Sequence, residues 1–221
     1  MKSYNIYLIR HGVTEANLKG QYAGSWDIPL CEEGEKKLNQ LKNEFSYPEI
    51  KECYSSPLSR CRQTAEIIYP HIKPIIQEDL KEWDFGEWEG KTTSELLKDE
   101  RYVSWIENKQ TEPAPGGESG MIFTKRVCKA FEEIVESLVK RGVTSAGIVT
   151  HGGVIMGLLA TYGLPKKDFF EWITDNGCGF ALRVTPSLWM RSKVLEVYDK
   201  LPVGNRGEIG GNFKDLIDNL K

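Results

Sequence analysis

The apolar positions of this chain alternate between two rhythms. Short continuous apolar runs read as buried strands, and the longer stretches between them carry apolar residues at helical spacing. Residues 4–9 and 146–150 are the clearest strands, with further strands at about 49–54, 179–184 and 193–197. Helices are predicted over 32–45, where Leu38, Leu41 and Phe45 share a face, and over 119–140, where Ile122, Phe123, Val127, Phe131, Ile134, Val135 and Leu138 form a stripe. Another spans 154–162. A last one spans 213–220, where Phe213, Leu216, Ile217 and Leu220 align. Ser56 followed by Pro57 marks a helix start, with Ser56 as N-cap and Pro57 in the first helical position; this helix ends near Tyr69-Pro70. Lys140, Arg141 and Gly142 close the long helix. Pro186-Ser187 between the last two strands suggests an antiparallel hairpin.

The rhythm breaks between about 80 and 118. This stretch is aromatic, acidic and glycine-punctuated, holds helical patches at 92–98 and 101–108, and ends in the breaker run 113–117. It reads as an excursion over one end of a sheet. The class is therefore α/β: a three-layer α/β/α sandwich with a mostly parallel sheet and a small helical cap insertion. At 221 residues the chain suits a single domain, 1–221, with the cap at about 80–118.

Two strand predictions end in a histidine followed by glycine: Arg10-His11-Gly12 and His151-Gly152-Gly153. In open α/β sheets the carboxyl ends of the strands open into the ligand crevice. The strand at 49–54 leads into the helix that carries Arg60. A lone histidine after a strand is more often a satisfied core residue, and an arginine near a helix start is usually solvated. Convergence of three strand ends makes the joint coincidence much less credible. Two arginines beside two histidines suit a phosphate, which guanidinium forks bind bidentately. The helix start at Ser56-Pro57 and the glycines after each histidine would add backbone N–H donors.

Composition narrows the picture. A net charge of −3 argues against non-specific nucleic-acid binding, so any anion site must be local. The five cysteines (31, 53, 61, 128 and 178) show no C-x-x-C spacing; they read as small apolar residues in a reducing compartment, with no metal site implied. Met1-Lys2-Ser3 runs straight into a strand pattern without a leader, and no apolar run approaches membrane-spanning length. A cytoplasmic protein without membrane or nucleic-acid partners is expected.

In combination and in order, these segments resemble the histidine phosphatase superfamily, in the branch that includes cofactor-dependent phosphoglycerate mutase. The resemblance rests on Arg10-His11-Gly12 with Thr14 and Asn17, then Gly24, Asp27, Pro29 and Leu30. It continues through residues 55–60 with Gln63-Thr64-Ala65, then Leu80-Lys81-Glu82 with Gly86, Trp88, Glu89 and Gly90, then residues 116–119 and His151-Gly152-Gly153. It implies that His11 attacks phosphorus and becomes phosphohistidine. Arg10, Arg60 and His151 would hold the phosphoryl group, and His151 would donate to its equatorial oxygens. Asn17, Thr14, Gly24 and Gly152 would lie around the substrate. Glu82 would protonate the leaving oxygen and later activate water. No cofactor or metal is implied, because phosphoryl transfer needs mainly positioning and charge stabilisation. Gln21 stands where many relatives carry arginine, and Cys31 where threonine often caps the next helix.

Other residues have plainer readings. Trp83, Phe85 and Trp88 either line a pocket or form the packing core of the cap. His71 reads as a surface loop residue, and Glu118 as a cap of the long helix. Three functions are weighed: a hydrolase of small phosphomonoesters, a phosphoglycerate mutase, and a non-catalytic phospholigand binder. Trp83 and Phe85 replace the arginine and tyrosine that mutases of this family carry after the acid, and the cap lacks paired basic residues for a second phosphate. Hydrolysis is therefore preferred. Chain length and residues 176–180 resemble α-ribazole phosphatases and broad-specificity phosphatases, so α-ribazole 5′-phosphate or a sugar phosphate is the expected kind of substrate. The C-terminal stripe would dock on the body or on a second subunit, giving a homodimer.

Overall fold

The computed structural model describes residues 3–107 and 112–204. Its strands are β1 (Tyr4–Arg10), β2 (Glu52–Ser55), β3 (Ile75–Ile76), β4 (Ser145–Thr150), β5 (Gly163–Leu164), β6 (Gly179–Val184) and β7 (Leu195–Leu201). They form one sheet in the order β3-β2-β4-β1-β6-β7-β5. Neighbours among β1 to β4 pair in parallel, as do β5 and β7, while β6 runs antiparallel to β1 and β7. The helices are α1 (Glu15–Leu18), α2 (Glu32–Glu44), α3 (Ser59–Ile68), α4 (Thr93–Leu96), α5 (Glu100–Glu107), α6 (Gly120–Arg141), α7 (Gly152–Tyr162) and α8 (Pro186–Ser192).

Side chains alternate across β1. Ile6 and Leu8 join a core with Phe123, Val127 and Phe131 of α6 and Val154 and Leu158 of α7. Tyr7 and Ile9 face the other way, toward Leu38 of α2 and Cys61, Ala65 and Ile68 of α3. Both faces are therefore covered, which gives the three layers. Each fully buried Leu or Phe contributes roughly 1.5–3 kcal/mol of burial free energy.

Three expectations are corrected. The third helix begins at Ser59 rather than at Ser56-Pro57, and its cap position is Leu58. The Ser56 hydroxyl instead meets His151 Nε2 at 2.8 Å, and Asp27 takes over the helix start, accepting from Ser59 N at 2.6 Å and Ser59 Oγ at 2.9 Å. β6 and β7 are antiparallel as expected, but α8 joins them; Pro186 opens a helix because its fixed φ suits a first helical position as well as a turn. Glu118 does not cap α6. Ser119 does, accepting from Ile122 N, while Glu118 pairs with Arg126. α1, β3 and β5 carry no expectation from the sequence, since none is long enough to show a period.

Cys31 precedes α2 without a side-chain capping bond, as its identity implies, and Glu32, Glu33 and Glu35 occupy the first turn, where the helix dipole favours negative charge. His71 is exposed. Trp83 and Trp88 are buried: Trp83 stacks on Phe123 with ring centroids 5.1 Å apart, and Trp88 packs edge-on to Tyr102 and Trp105. This aromatic cluster is continuous with the α6–α7 core, which supports the packing reading. Residues 213–220 lie outside the described residues. Among the described residues, no helix is long and apolar enough to cross a membrane.

Candidate active site

β1, β4 and β2 are consecutive parallel neighbours, with Arg10 opposite Thr150 and Ser55 opposite Val149. Their carboxyl ends open side by side, and this register delivers Arg10-His11, Ser56 and His151 to one place. α3 adds Arg60 in its first turn, and the segment before residue 83 adds Glu82.

His11 and His151 are both buried, with ring centroids 5.2 Å apart. His11 Nδ1 lies 2.6 Å from the Gly12 carbonyl. A carbonyl only accepts, so Nδ1 carries the proton and Nε2 keeps its lone pair. Burial, reinforced by the Arg60 and Arg10 charges, holds His11 well below the usual histidine range. It is a neutral imidazole with a free nitrogen in a positive hollow.

His151 is held in the opposite sense. Arg60 Nε donates to its Nδ1 at 3.3 Å, so Nε2 bears the proton and donates to Ser56 Oγ. Burial, then the Arg60 charge, lowers its pKa as well. Here its N–H addresses Ser56, not the hollow. Cys61 Sγ packs 3.4 Å from the same nitrogen; burial pushes that thiol up to about 12, so it remains a neutral filler.

Arg60 is fully buried. Its Nη1 donates to Trp26 O at 2.7 Å, and its Nη2 to Gly24 O at 2.7 Å and Ala23 O at 3.3 Å. The arginine thus ties the 23–26 loop to the histidine pair. Arg10 Nη1 donates to Thr174 O at 2.7 Å, and its buried Nε has no hydrogen-bond partner among the described residues. A buried donor without an acceptor is costly, and an incoming anion would satisfy it. Burial also lowers the Arg10 pKa, against the opposing pull of Glu82 and Asp175.

Glu82 is held by backbone at both oxygens: Gly153 N donates to Oε2 at 2.8 Å and Trp83 N to Oε1 at 2.9 Å. Its carboxyl group therefore lies against the start of α7, at a residue two positions after His151. Residues 10, 11, 60, 82 and 151 do come together, as convergence of the strand ends requires. The remaining predicted residues form the frame around them. Gly152 opens α7, with the Arg10 guanidinium against its Cα. Thr14 caps α1 and exchanges hydrogen bonds with Asn17, whose Oδ1 accepts from Thr14 N and Oγ1. Gly24 packs so closely on Trp83 that a Cβ there would lie 1.8 Å from the Trp83 carbonyl oxygen. The backbone donors expected for an anion are partly used within the protein: Gly12 N donates to Thr64 Oγ1, Gly153 N to Glu82, and Ser59 N to Asp27.

Sequence reasoning missed several parts of this frame. Asn176 Nδ2 reaches His11 O at 3.0 Å and Gly12 O at 3.3 Å. Glu89, which composition makes one solvated acid among many, accepts from Ser25 N, Trp26 N and Phe85 N. Gln21 donates to Gly90 O at 2.6 Å. Apart from the Phe85–Glu89 bond, these contacts span distant parts of the chain, and no local pattern announces them. Among the described residues no three His, Cys, Asp or Glu side chains gather as a metal site.

The chain is 35% identical over 177 residues to phosphoserine phosphatase 1 of Hydrogenobacter thermophilus, covering 77% of this chain and 82% of the relative. It is 29% identical over 185 residues to the adenosylcobalamin/α-ribazole phosphatase of Salmonella typhimurium, covering 81% and 90%. The crystal structure of the α-ribazole phosphatase from Shigella flexneri superposes with a TM-score of 0.76 at 26% identity, covering 92% of this chain and all of that one. A family model, histidine phosphatase superfamily (branch 1), matches residues 6–194, and the chain belongs to that family.

Proposed function

We propose that this histidine phosphatase hydrolyses small phosphomonoesters through a phosphohistidine at His11, without a metal or cofactor. One observation carries the reading: a neutral imidazole whose proton is fixed on Nδ1 by Gly12 O keeps its Nε2 lone pair within the field of fully buried Arg60 and half-buried Arg10. In the first step Nε2 bonds to phosphorus as the ester P–O bond breaks, and Glu82 gives its proton to the leaving oxygen. Arg10, through its unsatisfied Nε, and Arg60 counter the charge on the transferring oxygens. As that charge arrives, the His151 ring turns its N–H from Ser56 to an equatorial oxygen. In the second step Glu82 takes a proton from water, which attacks phosphorus; the P–N bond breaks and inorganic phosphate leaves.

The mutase alternative is not favoured. Trp83 stacks on Phe85 and Phe123, and both Trp83 and Phe85 meet Trp105 edge-on, supplying packing in place of charge for a second phosphate. Nor does a purely binding role account for an acid held beside the second histidine. Residues 80–118 act as a cap that shapes the entrance. The names of the relatives make α-ribazole 5′-phosphate and phosphoserine the first substrates to assay. The cytoplasm fits five cysteines that form no disulfide.

The test is His11→Ala on p-nitrophenyl phosphate. Turnover is expected to fall by at least about three orders of magnitude with the circular dichroism spectrum unchanged. Undiminished turnover would remove the nucleophile assignment and the reading with it.

A further inference from the structure

The segment that carries Glu82 is also held from α6. Arg126, one face of α6, places all of its N–H groups on the segment that carries Glu82 and on the loop behind it. Nη1 donates to Asp79 O at 2.9 Å and Lys81 O at 2.8 Å, and Nη2 to Glu82 O at 2.8 Å. Nε and Nη2 also grip the Glu118 carboxylate, at 3.0 and 2.5 Å. Glu118 continues the connection: its Oε1 accepts from Asp84 N, its backbone N–H donates to Asp84 O, and its carbonyl accepts from Trp83 Nε1. The pair is largely shielded, with side chains 20% and 14% exposed, so solvent competes weakly for these bonds. The guanidinium also lies over the Phe123 ring, 5.1 Å from its centroid, and Phe123 stacks on Trp83.

We propose that Arg126, locked by Glu118, is a positioning residue for the general acid: it fixes the backbone on both sides of Glu82 so that the carboxyl group meets the leaving oxygen. Its N–H groups reach only backbone carbonyls and Glu118, and it acts through Glu82. The segment 79–84 is otherwise without regular structure beyond one short turn, so three carbonyls captured by one rigid fork determine its path. This inference rests on the phosphohistidine reading above.

The consequence is selective. An acid matters where the leaving group is poor and hardly at all where it leaves unaided. Arg126→Gln is expected to lower kcat/KM for β-glycerophosphate by about tenfold or more, while p-nitrophenyl phosphate changes less than about threefold. Added guanidinium should restore part of the β-glycerophosphate rate. In the Glu82→Gln background the same substitution should add little to the loss, because the group it aims is already gone. Should Arg126→Gln fail to fold, Arg126→Lys provides the same ratio, with a smaller split expected, since an ammonium cannot span the same acceptors. Equal loss on both substrates, no loss on either, or full additivity with Glu82→Gln would overturn the positioning role. Phosphate trapped on His11 from p-nitrophenyl phosphate in the same variants separates this failure from failure of the underlying reading.

Discussion

At the scale of single residues, the site is defined by where protons are held. Both imidazoles are neutral in the fold, but carbonyl and guanidinium partners fix opposite tautomers: His11 exposes Nε2, whereas His151 presents Nδ1 to Arg60. The shared neutrality has a consequence for stability. Burial first, and the arginine charges second, hold both histidines below the usual value of 6.5, so the unfolded chain takes up protons at a pH where the fold still refuses them. Their stabilising effect is complete above that pH and is lost progressively as the pH falls through and below it. Each histidine accounts for about 1.4 kcal/mol per pH unit in that window. Urea unfolding at pH about 7.5 and about 5.5 should show this drop, and His11→Asn should shrink it. A drop of undiminished size in the variant would place its origin elsewhere. The histidines were legible in the sequence because each ends an apolar run and precedes glycine. Glu82 was not legible on composition, standing among five other acids between residues 78 and 89; only the ordered motif singled it out.

At the scale of elements, the site depends on two close approaches made at glycines. A Cβ at Gly153 would lie 2.4 Å from Glu82 Oε1, the movable end of a side chain. Gly153→Ala is therefore expected to displace the carboxyl group, cutting turnover of poor leaving groups about tenfold while changing stability by less than about 1 kcal/mol. At Gly24 the obstacle is backbone, the Trp83 carbonyl at 1.8 Å. Gly24→Ala should instead destabilise the whole fold by about 1–3 kcal/mol, read as a lowered urea midpoint. The reverse ranking would mean that these loops adapt more freely than their packing implies. Strands β1, β4 and β6 and helices α2, α6 and α7 were legible because each is long enough to show a period. The start of α3 was misread because Ser56 offers a strong local signal that a tertiary contact overrides: its hydroxyl serves His151, 95 residues away. Pro186 was misread because the same dihedral opens a turn or a helix.

For the whole molecule, a net charge of −3 coexists with a cationic hollow, so anion binding here is local rather than a property of the surface. The sheet explains why: three adjacent strand ends bring Arg10, Arg60 and the histidines together, and the acids that approach them are few. On the proposed mechanism the charge needed for phosphoryl transfer is supplied by arginine, and activity is expected to survive excess EDTA; a loss reversed by a divalent metal would contradict this. What remained illegible at this scale is the frame that holds the hollow open, because Asn176, Glu89 and Arg126 act across segments far apart in sequence. The central claim is that His11 carries the phosphoryl group between the two steps. It is tested most directly by quenching turnover in alkali and mapping the modified residue by mass spectrometry. An acid-labile phosphate on His11, accumulating further in Glu82→Gln when p-nitrophenyl phosphate is the donor, is the expected result. Phosphate on any other residue, or hydrolysis at full rate with no covalent intermediate, would contradict it.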